Sequence, residues 1–468
     1  MLFTKLVTYF SLLCLAAASV GFLLWIIFSA LRPATPKESG RSKDSNAVVQ
    51  VLVLGDIGRS PRMTYHALSI ARLAGRVDLV GYLDTPPHPD ILRNPNIQIH
   101  ALPPPPVRPR HIPFLLFGPW KAVNQLYHLS WVLNYRLQPA QWLLVQNPPS
   151  IPTLFVASVT CYLRKTRLMI DWHNYGWTIL AGNRGSRHPL VSLARAYECF
   201  FGRFGHVNLT VTEAMGRELR RAPYRVESPI LTLHDRPADI FRPVNSRSER
   251  LAILARIFPG HPLVPLILDG SARLIVSSTS WTPDEDFSLL LDALVRYASD
   301  GSVGKGEKQP PVLVVITGKG PQKDMYMEQI EVLRKSGALQ DITVETSFLS
   351  FPDYAGLLAS ADLGICLHKS SSGVDLPMKI VDMFGAGLPV AAYSGYESFA
   401  ELVKEGENGR GFETAAELAE ILAHLLSERG RRELETLKAG AVNEGSRRWD
   451  SEWDAIVAPI LGLHGRVQ

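Results

Sequence analysis

Short runs of β-branched and other apolar residues recur along the chain and alternate with longer stretches of helical periodicity. Parallel α/β sheets show this alternation, because each pair of parallel strands is joined by a helical crossover. The pattern therefore predicts two parallel sheets, one in each half of the chain. The runs lie at 48–55, 77–83, 141–147, 167–174 and 207–215 in the first half and at 273–278, 311–318, 342–348 and 361–367 in the second.

The domain boundaries follow from composition. A chain of 468 residues exceeds what one core usually holds, and its stretch 235–250 is rich in proline and charge, as interdomain connections are. We therefore expect four segments after the N-terminal region. They are an N-terminal Rossmann-like domain over 47–245, a linker over 246–270, a C-terminal Rossmann-like domain over 271–445, and a C-terminal helix over 446–468 that packs back on the first domain.

The N-terminal region predicts a membrane anchor. Residues 6–31 carry no charge, and this uncharged stretch is longer than the roughly 20 residues that span a bilayer. A cleaved signal peptide is the alternative, but the apolar residues 22–28 continue beyond the small residues at 16–19. Basic residues are more frequent in the polar stalk, 32–46, than before the span, so the positive-inside rule predicts a luminal N-terminus and cytosolic domains.

Composition limits the remaining choices. The chain is 46% hydrophobic and 20% charged, which is typical of a globular protein and not of a disordered one. Its formal net charge of +5 is too small to indicate nucleic acid as a partner. The four cysteines lack the spacing of a disulfide framework or a zinc site, and we predict no metal site.

Ligands of open α/β sheets bind beyond the carboxyl ends of the strands, so the exit of each predicted strand is a candidate site. The first run ends in a glycine-containing turn that enters a helix, and Gly58, Arg59 and Ser60 are the candidate contacts there. Glycine permits close ligand approach and the helix N-terminus offers backbone donors. Many such turns only connect two elements, so a ligand-binding turn and a simple connection are equally favoured interpretations.

A second candidate is the sequence Asp-Trp-His-Asn-Tyr-Gly at 171–176. A histidine at a strand exit can take a proton from an attacking hydroxyl group, which makes His173 the first candidate for a general base. Asn174 and Tyr175 add hydrogen-bonding groups. Glu213, after the run at 207–215, is a weaker candidate for the same role, and a purely structural histidine is the alternative.

In the second half, hydroxyl and acidic groups follow the run at 273–278. Ser278, Ser280 and Asp284 there either cap a helix or hold a phosphate group. The next run ends in Gly318 and Lys319, in a loop that does not match a Walker A motif but places a lysine within reach of a diphosphate.

The stretch 370–390 predicts a short helix that starts near Pro377, ends at glycines and runs straight into an apolar strand. At about 100° per residue, Asp375, Lys379 and Asp382 fall within about 60° of one another on the face opposite the apolar residues. The helix N-terminus and Lys379 can stabilise a leaving diphosphate, and Asp382 can accept hydrogen bonds from ribose hydroxyls. A solvated lysine–aspartate pair is the alternative.

Together these features resemble the two-domain nucleotide-sugar glycosyltransferases of the GT-B fold. Residues 382–390 match the E-A-x-A-x-G-x-P-V segment of that class, with aspartate in place of the glutamate. The sequence departs from the class at Val374, where retaining members carry a second glutamate, and in the loop after 278, which lacks the usual arginine and lysine. The resemblance implies two Rossmann-like domains that face a cleft, with the donor held mainly by the second.

Four segments resemble a narrower family, the chitobiosyldiphosphodolichol β-mannosyltransferases: GDIGRSPRM, DWHNYG, STSWTPDEDF and SGVDLPMKIVDMFG. The likeness covers the whole chain, including the anchor. It implies transfer of mannose from GDP-mannose to GlcNAc2-diphosphodolichol through a β-1,4 linkage, at the cytosolic face of the endoplasmic reticulum membrane. It also implies other mannosyltransferases of the pathway as partners, and neither a tightly bound cofactor nor nucleic acid.

Conversion of an α-linked donor into a β-mannoside requires inversion, and hence one in-line displacement with a base on the acceptor and cations on the diphosphate.

Two alternatives remain open: a transferase with another nucleotide sugar or polyprenol acceptor, and a catalytically silent anchored scaffold. Residues 112–120 are a candidate second membrane contact, and packing of a buried helix is the alternative. The expected roles are catalytic for His173, Glu213 and Lys379, acceptor binding for Gly58, Arg59, Ser60, Asn174 and Tyr175, and donor binding for Ser278, Ser280, Asp284, Gly318, Lys319, Asp375, Lys379 and Asp382.

Overall fold

The structure is a computed structural model that describes residues 47–109, 111–282, 285–299 and 309–463, without the side chains of 114–116. The predicted anchor at 6–31, the stalk at 32–46 and the donor candidate Asp284 lie outside the described residues. No described helix combines the length and the apolar character that a bilayer crossing requires.

The chain divides into two compact units of similar size. The first contains the residues up to Thr210, Gly216–Leu233, and the residues from Trp453 onward. The second contains Val211–Met215 and His234–Glu452. Each unit is built on a parallel sheet.

The first unit contains seven strands within its described residues, in the order β3-β2-β1-β4-β5-β6-β7. All neighbouring pairs are parallel. The strands are Val48–Asp56 (β1), Arg76–Tyr82 (β2), Ile97–Ala101 (β3), Trp142–Asn147 (β4), Arg167–Trp172 (β5), Val207–Thr210 (β6) and Ile230–Thr232 (β7). The helices are Pro61–Arg72 (α1), Pro89–Arg93 (α2), Phe114–Trp131 (α3), Thr153–Arg164 (α4), Gly176–Arg184 (α5), Pro189–Phe201 (α6) and Glu213–Arg220 (α7). Shorter helical turns lie at Ile57–Arg59, Val132–Arg136 and Gly202–Phe204. The first residues of α7 belong to the second unit.

The second unit contains six parallel strands within its described residues, in the order β10-β9-β8-β11-β12-β13. The strands are Arg273–Ser278 (β8), Val312–Thr317 (β9), Ile342–Ser347 (β10), Leu363–Cys366 (β11), Val390–Tyr393 (β12) and Gly409–Phe412 (β13). The helices are Arg247–Ile257 (α8), Leu263–Asp269 (α9), Ser288–Ser299 (α10), Lys323–Lys335 (α11), Phe351–Ser360 (α12), Met378–Gly385 (α13), Phe399–Leu402 (α14), Ala415–Leu425 (α15), Arg431–Gly445 (α16), Trp449–Ile456 (α17) and Ala458–Leu461 (α18). In the last two helices, the residues from Trp453 onward belong to the first unit.

Both sheets share the Rossmann strand order, in which the direction of winding reverses between the first and fourth strands of the sheet. The reversal falls between β1 and β4 in the first unit and between β8 and β11 in the second. In open α/β sheets the ligand site forms at this point, outside the carboxyl ends of the strands. Every apolar run named in the sequence forms a strand here, which confirms the prediction of two parallel sheets.

Three strands were not predicted: β3, β7 and β13. Each lies at an edge of its sheet, and each has several partly or fully exposed positions. An edge strand needs fewer apolar residues than a central strand that is covered on both faces. The sequence signal for these strands is correspondingly weak.

The segment expected as a linker, 246–270, instead forms helices α8 and α9 of the second unit. Leu254 and Ile267 from these helices are buried in the core beneath β8. Arg250 pairs with Asp362 at 2.9 Å. Of the charged residues in the stretch 235–250, Arg247, Glu249 and Arg250 lie on helix α8, whereas Arg236 is buried.

The C-terminal segment joins the first unit at Trp453. Arg72 of helix α1 donates to Asp454 at 2.5 Å, and Leu463 lies against Gly75, where an added Cβ would be 3.2 Å from its side chain. The last described turn is thus attached to the end of helix α1.

Candidate active site

The loop after β1 is organised by Asp56. Its carboxylate accepts hydrogen bonds from the backbone N–H groups of Gly58, Asp84 and Thr85 at 3.2–3.3 Å and from the Thr85 hydroxyl at 2.5 Å. Burial raises the pKa of Asp56, but these hydrogen bonds, led by that of the Thr85 hydroxyl, outweigh it and lower the pKa below its usual range. Asp56 therefore ties the exit of β1 to the exit of β2.

The predicted contacts Gly58, Arg59 and Ser60 lie in this loop. A Cβ at Gly58 would overlap the Thr85 hydroxyl and lie 2.7 Å from the carbonyl oxygen of Pro86, so the glycine permits close approach to the β2 exit. The Arg59 side chain is largely exposed and its Nε lies 3.6 Å from Asp56. Ser60 donates to the carbonyl oxygen of Asp56 at 2.9 Å.

At the exit of β5, three side chains converge on Asp171, which is completely buried. Arg62 donates to both carboxylate oxygens, at 2.8 and 2.9 Å, and His66 and His173 lie 3.2 and 2.8 Å from Oδ2. Burial raises the pKa of Asp171, but the Arg62 guanidinium and the two imidazoles lower it to well below its usual range. Asp171 is therefore an anion throughout the physiological range.

His173 is the partly exposed member of this cluster, with 24% of its side chain accessible. Because ionised Asp171 can only accept hydrogen bonds, Nε2 of His173 carries the proton that it donates to Asp171. The other ring nitrogen, Nδ1, then presents its lone pair. This is the arrangement of a general base whose orientation is fixed by a carboxylate.

The other two candidates of the Asp-Trp-His-Asn-Tyr-Gly motif, Asn174 and Tyr175, also contact neighbouring residues. The side chain of Asn174 accepts from the Tyr175 backbone N–H at 2.7 Å. Tyr175 is fully buried and stacks on Tyr224 with ring centroids 5.0 Å apart, so its side chain lies in the core and not at the surface where an acceptor would bind. Burial raises its pKa far above the usual range.

Sequence reasoning overlooked a buried carboxylate, Glu198, near the same exit. It accepts hydrogen bonds from Ser150, from the backbone N–H of Gly176 at 2.8 Å and from the Tyr224 hydroxyl at 2.7 Å. Burial raises the pKa of Glu198 and these bonds only partly oppose the shift. Its place in the middle of an apolar helix pattern, Pro189–Phe201, was the signal that could have identified it.

Glu213 lies at the start of helix α7, in the part of that helix that belongs to the second unit. Its backbone N–H and that of Ala214 donate to the carboxylate of Glu401 at 2.6 and 2.7 Å. Glu401 thus caps the helix, and the exposed Glu213 side chain lies in a different unit from the acceptor candidates around His173.

In the second unit, the exit of β8 contains a carboxylate that was not singled out from the sequence. The side chain of Glu285 is 1% exposed and accepts from the Thr279 hydroxyl and the Ser280 N–H, both at 2.6 Å. It also forms an ion pair with Lys379 of helix α13. This contact brings two of the predicted donor residues together, because Lys379 also lies 3.5 Å from the Ser280 hydroxyl.

Helix α13 begins at Met378, with Pro377 at its N-cap position and no side chain capping it. Its buried residues are the apolar ones after Met378 together with Gly385, whereas Lys379 and Asp382 are only partly buried. Asp375 lies before the helix and not on it. It accepts from Ser370 and lies 3.5 Å from His368, and although burial raises its pKa, His368 and Ser370 lower it below the usual range.

Asp382 has a distinct environment. Burial, and secondarily the neighbouring charge of Asp235, raise its pKa to about 7. Tyr354, whose pKa is raised mainly by burial and further by Asp382, is hydrogen-bonded to Ser278 at 2.9 Å. Tyr354 therefore interacts with both donor candidates, with Ser278 through a hydrogen bond and with Asp382 through its charge.

The exit loops of β8 and β9 pack against each other through glycine. A Cβ at Gly318 would overlap the carbonyl oxygen of Thr279, and one at Gly320 would overlap that of Ser280. Gly318 also has φ +123°, a conformation that other residues rarely adopt. Lys319 between them is exposed, with its Nζ 3.6 Å from the ring centroid of Phe348.

The described residues include no cluster of three or more histidine, cysteine, aspartate or glutamate side chains that could hold a metal ion. A further lysine that the sequence analysis did not select, Lys369, lies in the loop after β11 and contacts Asp286 at 3.0 Å. The exits of β8 and β11 together therefore carry two lysines, each held by an acidic residue.

Comparison with known proteins places this arrangement in a class. Residues 272–428, which contain the exits of β8, β9 and β11, match the family described as glycosyl transferases group 1. The structure also resembles that of a sucrose-phosphate synthase from Thermosynechococcus elongatus, with a TM-score of 0.62 over 90% of this chain and 98% of the other, at 14% identity. The fold and the family match define a glycosyltransferase with two Rossmann-like units.

Two relatives narrow the class. The chain is 44% identical to a chitobiosyldiphosphodolichol beta-mannosyltransferase from Arthroderma benhamiae, over 98% of this chain and 99% of that protein. It is 40% identical to a protein from Arabidopsis thaliana named UDP-glycosyltransferase TURAN, over 88% of this chain and 96% of that one. The chain belongs to the chitobiosyldiphosphodolichol β-mannosyltransferase family.

Proposed function

We propose that this protein transfers mannose from GDP-mannose to GlcNAc2-diphosphodolichol and forms a β-1,4 linkage with inversion. Family membership supports the reaction class. The observation that carries the donor side is the N-terminus of helix α13, which lies next to the exits of β8 and β11 with Lys379 in its first turn and without a side-chain cap. The positive end of the helix dipole and a lysine at a helix N-terminus favour binding of a diphosphate.

Lys379 serves the leaving group in this proposal. In the free protein its ammonium group pairs with Glu285, which fixes its position beside Ser280. A bound diphosphate adds negative charge that increases as the bond to mannose breaks, so a fixed ammonium group stabilises the transition state more than the ground state. Ser280 and Lys319 lie in the two adjoining loops and complete the set of donors toward the phosphates.

Asp382 serves the nucleoside. Within the described part of the chain its carboxylate has no hydrogen-bond partner, and its charge acts on Tyr354, which is hydrogen-bonded to Ser278. Hydroxyl groups of a ribose are donors that suit such a carboxylate. Binding of ribose would favour the ionised form of Asp382, because a hydrogen bond donated to the charged form lowers the pKa.

His173 serves the acceptor. Its Nδ1 accepts the proton of the attacking hydroxyl while Nε2 keeps its hydrogen bond to Asp171. The hydroxyl oxygen attacks the anomeric carbon of mannose, the bond to the diphosphate breaks, and GDP leaves with inverted configuration at the sugar. Arg59, Ser60 and Asn174 are proposed to contact the acceptor.

Lysine side chains and the helix N-terminus are proposed to supply the positive charge that a divalent cation provides in other transferases. Turnover is therefore expected to persist after exhaustive treatment with a chelator. Loss of turnover that added magnesium restores would overturn this part of the proposal.

The protein is proposed to be a single-pass protein of the endoplasmic reticulum membrane with its catalytic units in the cytosol, held by residues 6–31.

A second membrane contact is proposed on helix α3, which includes part of the predicted contact at 112–120. Trp120, Val123, Tyr127 and Trp131 are each at least 37% exposed and fall within about 80° on this helix. Exposed tryptophan and tyrosine suit the interface between water and lipid. Other mannosyltransferases of the pathway are the proposed protein partners.

The test is transfer of labelled mannose from GDP-mannose to a GlcNAc2-diphosphate-lipid by detergent-solubilised protein, with Lys379→Ala measured alongside. We expect a β-mannosylated product from the wild type and none from the variant. The Arabidopsis relative named as a UDP-glycosyltransferase favours one alternative, a different nucleotide-sugar donor, so UDP-sugars are tested in parallel. Product from a UDP-sugar and not from GDP-mannose would overturn the donor assignment. Absence of product with every donor, from folded protein, would favour the scaffold.

A further inference from the structure

A buried chain of hydrogen bonds connects the C-terminal segment to His173. We propose that Trp453 is a positioning residue for the transfer reaction: its indole N–H fixes the tautomer of His66, and His66 then holds Asp171 in place for His173. This inference rests on the proposed function, in which His173 is the general base.

The first bond in the chain determines the state of His66. Nε1 of Trp453 lies 2.9 Å from Nδ1 of His66, and both side chains are fully buried. An indole N–H can only donate a hydrogen bond, so Nδ1 of His66 must carry a lone pair. The imidazole is then neutral with its proton on Nε2, which lies 3.2 Å from Asp171 and donates to it.

The charged form of His66 is disfavoured by the same geometry. An imidazolium carries N–H groups on both nitrogens, and its Nδ1–H would face the Trp453 N–H, donor against donor. Burial also lowers the pKa of His66, which Asp171 only partly opposes, and the positive charge of Arg62 adds to the lowering. Both causes keep the imidazole neutral at physiological pH.

Asp171 in turn connects His66 to the base. Its Oδ2 atom accepts from Arg62, His66 and His173, while Oδ1 accepts the second bond from Arg62. The titratable and charged groups of this cluster are Arg62 and His66 from helix α1 and Asp171 and His173 from the end of β5. If His66 gained a proton or turned its lone pair toward Asp171, the hydrogen bond that orients His173 would change.

The C-terminal segment is well placed to act as a fixed support. The residue after Trp453, Asp454, receives a hydrogen bond at 2.5 Å from Arg72, which lies on the same helix as Arg62 and His66. Two neighbouring residues of the C-terminal segment, Trp453 and Asp454, are therefore each hydrogen-bonded to the helix that carries Arg62 and His66.

The experiment is the pH dependence of kcat for Trp453→Phe, which keeps an aromatic ring in the core but removes the N–H. In the wild type only His173 must lose a proton for activity, so log kcat rises with a slope of about one on the acid side. In the variant His66 can also take a proton, and activity requires two neutral imidazoles. We expect the acid limb to steepen toward a slope of about two, with KM for GDP-mannose unchanged.

The double variant Trp453→Phe with His66→Gln shows whether the second proton belongs to His66. It lacks that imidazole and is expected to return to a slope of about one. Trp449→Phe, in the same helix but in the second unit, is the control for loss of an indole and should keep the wild-type slope. A Trp453→Phe profile of slope one, lowered by the same factor at every pH, would mean that Trp453 only packs and would overturn the inference.

A measurement on the wild type covers the case in which Trp453→Phe does not fold. Nitrogen-15 NMR of histidine-labelled protein, with His66 assigned by substitution, is expected to show one neutral tautomer protonated at Nε2 that does not titrate between pH 6 and pH 8. A tautomer protonated at Nδ1, or a charged ring at pH 7, would overturn the inference. A wrong assignment of His173 as the general base is recognised separately, because the His173→Ala variant would then keep its turnover.

Discussion

Lys379 and Glu285 form an ion pair that joins helix α13 to the loop after β8. The Glu285 side chain is 1% exposed, and its other hydrogen bonds come from Thr279 and the Ser280 backbone. Lys379 therefore compensates a buried charge in the free protein as well as facing the proposed donor. Any substitution of this lysine changes both stability and chemistry, and the two effects must be measured separately.

For Lys379→Ala we expect loss of mannose transfer and at least a tenfold weaker affinity for GDP. Stability should fall by about 3 kcal/mol, because the buried carboxylate of Glu285 loses its counter-charge. Calorimetric GDP titration and denaturant unfolding measure the two effects.

The matched control is Lys379→Met combined with Glu285→Gln, which removes both charges. It should recover most of the lost stability, since no buried ion remains, but not GDP affinity or turnover. Recovery of turnover in this double variant would show that the ammonium group is not needed.

His173→Ala should lower kcat by about a hundredfold or more while GDP affinity stays unchanged, because a general base acts in the chemical step and not in donor binding. The matched control is His128→Ala, a histidine of helix α3 in the same unit. Its kcat should equal that of the wild type. Unchanged turnover in His173→Ala would contradict the assignment of the base.

The raised pKa of Asp382, about 7, predicts a pH dependence of stability. In the unfolded chain this carboxyl titrates near pH 4. Between about pH 4 and pH 7 the folded protein therefore holds the additional proton, and the free energy of unfolding that this group contributes falls as the pH rises. Asp382→Asn cannot ionise, so its melting temperature should exceed that of the wild type by a margin that widens from pH 5 to pH 8.

The control for Asp382→Asn is Asp324→Asn, an exposed carboxyl in the first turn of helix α11. Its difference from the wild type should not widen over the same pH range. A constant margin for Asp382→Asn would mean that its carboxyl is already ionised in the folded protein at pH 5.

Gly320→Ala should destabilise the second unit by about 2 kcal/mol or more and raise KM for GDP-mannose, because the new methyl group would overlap the carbonyl oxygen of Ser280. Gly182→Ala is the comparison. Gly182 lies in helix α5 with no atom within 4 Å of an added Cβ, and alanine there should be neutral or slightly stabilising. Equal effects of the two substitutions, by thermal unfolding, would contradict the close packing of the two strand-exit loops.

Trp120→Asp with Tyr127→Asp should reduce the binding of a chain that starts at residue 47 to liposomes that contain anionic lipid, by about tenfold, as charge is unfavourable at the lipid interface. Two exposed residues on another helix, Met325→Asp and Val332→Asp in α11, form the control and should leave binding unchanged. The membrane contact predicted at 112–120 also includes Phe114 and Leu116, whose side chains the structure does not describe. Binding that is unaffected by the first pair would exclude this face of α3 as the contact.

Much of the fold was readable from the chain. The central strands are nearly continuous apolar runs because both faces of a parallel sheet are covered, and such runs stand out in a sequence. The edge strand Gly409–Phe412 has no such signal. The segment 246–270 was interpreted as a linker because it follows the proline- and charge-rich stretch 235–250, whereas its residues Leu254 and Ile267 are buried in the core.

The candidate site was readable only in part. Sequence position identified the strand exits, and the roles of His173, Lys379 and Asp382 near them stay predictions. It could not identify Glu285, which lies 94 residues from Lys379 in the chain. Nor could it connect Trp453 with His66, 387 residues apart.

The sequence by itself determined the two parallel sheets, the strand-exit loops and the family, because these depend on local periodicity and on short motifs. The tertiary structure decided which of the polar residues meet: Arg62, His66 and His173 around Asp171, and Lys379 with Glu285. Such pairings depend on how distant segments pack, and burial then sets the charge of each group. A one-dimensional pattern records neither the packing nor the burial, which is why the charges of this site followed only from the three-dimensional arrangement.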